Sequence, residues 1–261
     1  MSRSLAVLAT VLALAGPVVA QTPPAAAPAA LASASPQQRA DIARADALTR
    51  SVFWRAEMAA QPDDAEAPLK LAAALIDLGQ ADQAAAVADA AMVRWPTDRA
   101  LLLTAGRAHI ARGQAFFGIA ALEQARDLDP TDWQVWSLLG VAYQQVRRPD
   151  DAEAAWAEGL RLAPDQPALL ANVAMARLTA GDAAAAETLL RRAAAQPGAG
   201  LKVQQNLALV LGLQGKAAEA EALLRRNLPP DQADANLAWL QARTEAAAPA
   251  TGRTWDSLRA P

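Results

Sequence analysis

Pro62, Pro96, Pro130 and Pro164 follow one another at a constant interval of 34 residues, and no other feature of the chain restricts its fold so severely. Each stands in a similar setting: Gln-Pro-Asp, Trp-Pro-Thr-Asp, Asp-Pro-Thr-Asp, Ala-Pro-Asp. Proline has no N–H to give and clashes with the preceding turn, so each one closes a helix. A short unit repeated at fixed period cannot bury its apolar face alone and must stack on its neighbours. Composition points the same way. Of 261 residues 53% are apolar but only 4% aromatic, so much of the apolar content is alanine. Alanine is the best helix former and a poor core filler, which favours many thin, closely packed helices over one thick core. No run of alternating β-branched residues suggests a sheet. The expected fold class is all-α.

Within residues 133–166, Trp136, Leu139, Gly140 and Tyr143 share one helical face, Ala152 and Trp156 follow on a second helix, and Pro164 ends it. This order resembles the tetratricopeptide repeat (TPR), a helix–turn–helix unit of 34 residues. The same frame places Gly106, His109, Gly118, Leu122, Ala125 and Pro130 in 99–132, and Leu71, Ala72, Leu75, Gly79, Ala84, Ala91 and Pro96 in 65–98. Gly181 with Ala186, and Gly215 with Ala220, phase two later copies at 167–200 and 201–234. Trp54 and Pro62 fall in phase with a second helix and its stop, so 37–64 reads as a degenerate first unit. Residues 231–248 set Ala233, Leu237 and Leu240 on one face, as a capping helix requires. The expectation is a solenoid of five to six repeats with a C-terminal cap. Gly140 is read as a gap in a bulky stripe that admits the backbone of the paired helix, with Trp136, Tyr143 and Trp156 filling its flanks.

The two ends read differently. Residues 1–20 begin with Arg3, continue with an apolar run from Leu5 to Ala15 and a Gly16-Pro17 break, and carry Val18 and Ala20 before the expected cut. That is the pattern of a cleavable secretory signal. The run is shorter than the ~20 residues of a membrane span. With no cysteine in the chain, neither a disulfide framework nor a lipid-modified amino terminus is expected, so no direct lipid anchor. Residues 21–36, rich in proline, alanine and serine, read as a disordered linker. After loss of Arg3 the charge is 23 basic against 27 acidic residues, which argues against nucleic acid as partner. The tail 249–261 holds Trp255 and Leu258 one turn apart, an aromatic anchor that can bind a partner or fold back onto the last repeat.

Little in the chain reads as chemistry. His109 is the only histidine and occupies the tyrosine position of its repeat, so it is assigned to the core, since no second histidine or cysteine can complete a site. Asp63, Asp64, Asp150 and Asp151 precede or open helices, where carboxylates satisfy free backbone donors. Phosphate loops and nucleophile elbows are absent. The expectation is a protein that is not an enzyme and needs no cofactor or metal. Function must then lie on the surface. First helices of stacked pairs line the concave side, where Lys70, Arg107, Gln144, Asn172, Lys202 and Asn206 are the candidate partner-binding residues, with Asp77, Thr104, Ser137, Gln145, Thr179 and Gln205 on the same face. Asn172 and Asn206 hold equivalent places, and a ladder of amides can grip an extended peptide backbone. The few lysines depart from the lysine–asparagine clamp that some repeat proteins use for a terminal carboxylate, which is therefore not expected.

The segment VQQNLALVLGLQGKAAEAEALLRRNLPPDQADANLAWLQ, Val203 to Gln241, followed at a distance by TWDSL, resembles the TadD group of tetratricopeptide proteins, assembly factors of the Flp (tight adherence) pilus. The resemblance spans about 37–258 and implies a periplasmic scaffold whose partners are other proteins, among them the pilus secretin or platform components. Many proteins of the group look like lipoproteins, and the missing cysteine departs from that. The same repeats also suit a periplasmic adaptor of another envelope machine, for cell-wall synthesis or polysaccharide export, or a non-catalytic regulatory subunit of an envelope enzyme.

Overall fold

The computed structural model describes residues 33–247, with side chains through residue 242. The signal segment 1–20, most of the linker 21–36 and the tail with Trp255 lie outside the described residues. Thirteen helices and no strand are found among those described: α1 Pro36–Ile42, α2 Ala47–Ala60, α3 Glu66–Asp77, α4 Ala81–Arg94, α5 Arg99–Ala111, α6 Ala115–Leu128, α7 Trp133–Gln145, α8 Pro149–Leu162, α9 Pro167–Thr179, α10 Ala183–Ala194, α11 Leu201–Leu213, α12 Ala217–Asn227 and α13 Pro230–Ala247. The architecture is an all-α repeat solenoid.

The turn inside each repeat is the same structure five times over. Gly79, Gly113, Arg147, Gly181 and Gly215 all have positive φ, between 61° and 89°. At each, the following residue donates its N–H five residues back, Gln80 to Leu75, Gln114 to His109, Arg148 to Tyr143, Asp182 to Arg177 and Lys216 to Leu211, all at 2.9 Å. That is the Schellman closure of a helix end, and it demands a left-handed residue. Starts are less uniform. Asp98 and Asp132 accept backbone N–H groups at 3.0 and 2.9 Å, whereas α9 opens with a first-turn proline and no side-chain cap. Asp64 accepts from the Glu66 N–H at 2.9 Å. Asp63 instead pairs with Arg94, and Asp150 and Asp151 sit inside the first turn of α8, where they favour the helix dipole.

Successive first helices touch one another, α3 to α5, α5 to α7, α7 to α9 and α9 to α11, while successive second helices do not. The first helices therefore form the inner, concave side of the stack. Each second helix packs between its own first helix and the next, and α13 closes the far end against α11 and α12 with Ala233 and Leu240 buried.

Leu139, Gly140, Tyr143, Ala152 and Trp156 are buried and Trp136 is half-buried. One expectation is corrected here. A β-carbon on Gly140 would lie 2.2 Å from Trp156 Nε1, so the gap is filled by the indole ring and not by a backbone. True backbone approach occurs one repeat earlier, where a β-carbon on Gly118 would stand 3.2 Å from Gly106 Cα. Trp136 turns away from the glycine and donates its Nε1–H to the Pro130 carbonyl at 2.8 Å.

Candidate partner-binding face

The register that builds the core also decides which first-helix side chains look outward. Lys70, Arg107 and Lys202 are exposed, and Gln144, Asn172 and Asn206 are half-buried. Arg107 Nη2 reaches Gln134 Oε1 of the next first helix at 3.5 Å, and Gln145 donates to the Ile110 carbonyl of the previous one at 3.2 Å. Asn172 Nδ2 donates to Ser137 Oγ at 2.9 Å, tying α9 to α7. Asn206 lines a cleft of about 210 Å³ with Gln205, Leu209 and Asn236, between α11 and α13. The two asparagines share a register but not an environment. Thr104 and Ser137, placed on this face by spacing, are 6% and 3% exposed and so belong to the packing between repeats. Ser137 is a junction: its carbonyl accepts the buried Trp156 Nε1–H at 3.3 Å while its hydroxyl accepts from Asn172.

A second set of polar contacts joins each second helix to the next first helix. Tyr143 donates its hydroxyl to Glu123 at 2.7 Å, and burial, then this bond, pushes the phenol up to about 12. His109 Nε2 meets Asp89 at 3.0 Å in the equivalent place one repeat earlier, and its buried Nδ1 has no partner. Arg177 pairs with Glu153 at 2.7 Å, and Lys216, in the turn between α11 and α12, reaches back to Glu187 of α10 at 2.6 Å. The histidine is held as a core side chain, and these pairs serve inter-repeat registry. No group of three or more metal-ligating side chains is found among the described residues.

The N-terminal end of the face carries what spacing did not reveal. Glu57 is 5% exposed, and it accepts Arg39 Nε and Nη2 at 3.0 and 2.5 Å together with the Ala34 N–H at 2.8 Å. Arg39 Nη1 reaches Asp64 at 2.6 Å and Glu66 at 3.1 Å, and its guanidinium lies 5.5 Å from the centre of the Trp54 ring. Burial works against the charge on Arg39, and the bonds to Asp64 and Glu57 outweigh it, so its pKa is raised. A cavity of about 790 Å³ opens beside this cluster, lined by Ala34, Pro36, Arg39, Ala40, Ala43, Arg50, Trp54, Glu66, Lys70 and Ala73. Arg39 and Arg50 stand ahead of the first well-phased repeat, so the 34-residue frame gave them no assigned face. The one legible signal was Trp54, in phase with a second helix.

No family model matches the chain, and no curated relative matches it. Solved structures do. A thermophilic TPR protein of Thermus thermophilus superposes with a TM-score of 0.58 at 20% identity, over 67% of this chain and 94% of that one. A tetratricopeptide repeat protein from Parabacteroides merdae superposes at 0.57 and 15% identity, over 81% and 84%. The Cut9–Hcn1 hetero-tetramer of the APC/C gives 0.55 at 14% identity over 76% of this chain and 36% of that one. The likeness is one of fold: the described chain is a tetratricopeptide-repeat solenoid.

Proposed function

We propose that this chain is a periplasmic protein-interaction scaffold that serves as an assembly factor of a Flp (tight adherence) pilus machine. The observation that carries the scaffold reading is the set of polar side chains Lys70, Arg107, Gln144 and Lys202 on the first helices α3, α5, α7 and α11 of one continuous stack, a surface long enough for an extended partner segment. The pilus assignment draws on the resemblance of Val203–Gln241 to the TadD group, and the periplasmic location on the signal pattern of residues 1–20. Pilus secretin or platform components are the partners of choice under this reading. Among the described residues no helix is long and apolar enough to cross a membrane.

The test is a pull-down of the C-terminally tagged full chain from detergent-solubilised envelopes, beside an Arg107→Ala, Asn206→Ala variant. Asn172 is left intact because its bond to Ser137 makes it part of the packing. Recovery of pilus components with the parent, and their loss with a variant of unchanged melting temperature, supports both the assignment and the face. Recovery of cell-wall or polysaccharide-export components, or of an envelope enzyme whose rate shifts on binding, sinks the pilus reading and leaves the scaffold.

A further inference from the structure

The C-terminal end of the inner face is less finished than the repeats before it. Asn172 gives its amide to Ser137, 35 residues earlier. The residue 35 places before Asn206 is Ala171, which has no hydroxyl, and the half-buried side-chain amides of Gln205 and Asn206 make no hydrogen bond among the described residues. Beside them α13 lies close on α11, since a β-carbon on Gly212 would stand 3.0 Å from Leu240 Cδ1. Between the two helices is a cleft of about 210 Å³, where those amides meet the apolar side chains of Leu209 and Trp239. Trp239 is 51% exposed, although it belongs to the helix that ends the described stack. A cap should turn a polar outer face to solvent, so an indole in that place marks a surface that takes a further layer.

We propose that this layer is the chain's own C-terminal tail: Trp255 enters the cleft, Leu258 packs on Trp239 beside it, and the backbone between them bonds to the Gln205 and Asn206 amides. Size selects such an occupant, since a space of about 210 Å³ takes one large side chain and not a whole helix. So does chemistry, because an apolar floor with an amide rim suits an aromatic anchor carried on irregular backbone. Residues 249–261 hold Trp255 and Leu258 one turn apart and no other large apolar side chain. Reach is sufficient. From Trp239 to the end of α13 at Ala247 is eight residues of helix, or ~12 Å. The eight residues from Ala247 to Trp255 span up to ~26 Å when extended, and Pro249 favours a break just beyond the helix. Seated there, the tail covers Asn206, so a partner segment that runs to this end of the face must displace it. That shielding rests on the scaffold reading, whereas the seat rests on the cleft alone.

Cross-linking of the full chain tests the seat, because the chain has no cysteine and two introduced thiols are then its only ones. Asn236→Cys places one thiol in the exposed lining of the cleft, and Ser257→Cys places the other between the two anchors. Mild oxidation of the dilute protein should close an intramolecular disulfide, about tenfold more slowly when Trp255→Ser or Trp239→Ala is added, as loss of a local effective concentration should produce. Trp239 is exposed, so its truncation leaves the fold standing. Equal rates with and without Trp255 overturn the proposal, since the tail then meets the cleft only by diffusion. Cross-linked dimers in place of monomers overturn it in favour of the tail of a second copy. In the pull-down, Trp255→Ser should raise recovery of a partner held through Asn206 severalfold. Unchanged recovery overturns the shielding, and reduced recovery overturns it in favour of a tail that holds the partner itself. Loss of every partner from the parent, with the Trp255-dependent disulfide retained, rejects the scaffold reading and upholds the seat.

Discussion

A β-carbon on Gly140 would stand 2.4 Å from Trp156 Cδ1, so the pair is a large side chain seated on a bare stretch of helix. Overpacking should make Gly140→Ala cost ~1–3 kcal/mol despite alanine's better helix propensity. Trp156→Ala should cost ~3–5 kcal/mol, since the indole is 2% exposed. The same two places hold Ala174 with Leu190 and Ala208 with Leu224 in later repeats, all buried. Gly140→Ala combined with Trp156→Leu should therefore be less destabilised than the sum of its single changes, by ~1 kcal/mol in urea denaturation. Simple additivity would show that the two residues are not one contact. Tyr143 supplies a second test. Its phenol ionises near 10 when unfolded and near 12 when folded, so its stabilising contribution is full below about pH 10 and is lost as pH rises through 12. The loss should approach ~2–3 kcal/mol and vanish in Tyr143→Phe, and an equal alkaline loss in both proteins would assign the effect elsewhere.

At the scale of the helix, the informative element is the turn between paired helices. Four of its five left-handed positions are glycine, and the fifth is Arg147 at φ 61°. A side chain in that region is strained by roughly 1–2 kcal/mol. Arg147→Gly should therefore raise stability by ~1 kcal/mol, read as a higher denaturation midpoint with unchanged slope. No gain would mean that the Arg147 side chain makes contacts worth as much as the strain. The position was legible in the sequence because Gly113 and Gly181 bracket it at the repeat interval, whereas its handedness in arginine form was not. The helix starts were legible only in part. Asp64 accepts a backbone N–H at the start of α3 as read, but Asp63 is drawn to Arg94, across the turn from another helix. A cap is a local event, and an ion pair between helices is not.

Across the whole described stack the core falls into two clusters that meet on α9, where Leu169 and Val173 face the N-terminal one and Leu170 and Ala174 the C-terminal one. The first contains Trp54, Tyr143 and Trp156, and the second is built from leucine, valine and alanine alone. Aromatic side chains bury more surface each, and a solenoid's stability is close to a sum over repeats and their interfaces. Native-state hydrogen exchange should therefore find α11 to α13 opening at a free energy lower by ~2 kcal/mol or more than α5 to α8. Uniform exchange from α3 to α13 would count against that ordering. Much of the candidate face was legible too, since exposure of Lys70, Arg107 and Lys202 follows from helical register. Burial of Thr104 and Ser137 was not, because it depends on how closely the neighbouring repeat approaches.

By itself the amino-acid order determined the period, the pairing of helices and the glycine turns. These are events within one repeat, written in short-range spacing that a 3.6-residue helix converts directly into a face. Only the tertiary structure decided that Trp156 fills the gap at Gly140, that Asn172 is bound to Ser137 while Asn206 lines a cleft, and that Arg39, Arg50 and Lys70 converge on one cavity. Each of these depends on the angle and distance between one element and the next. Those quantities are set by the summed packing of many side chains and are encoded in no single stretch of the chain.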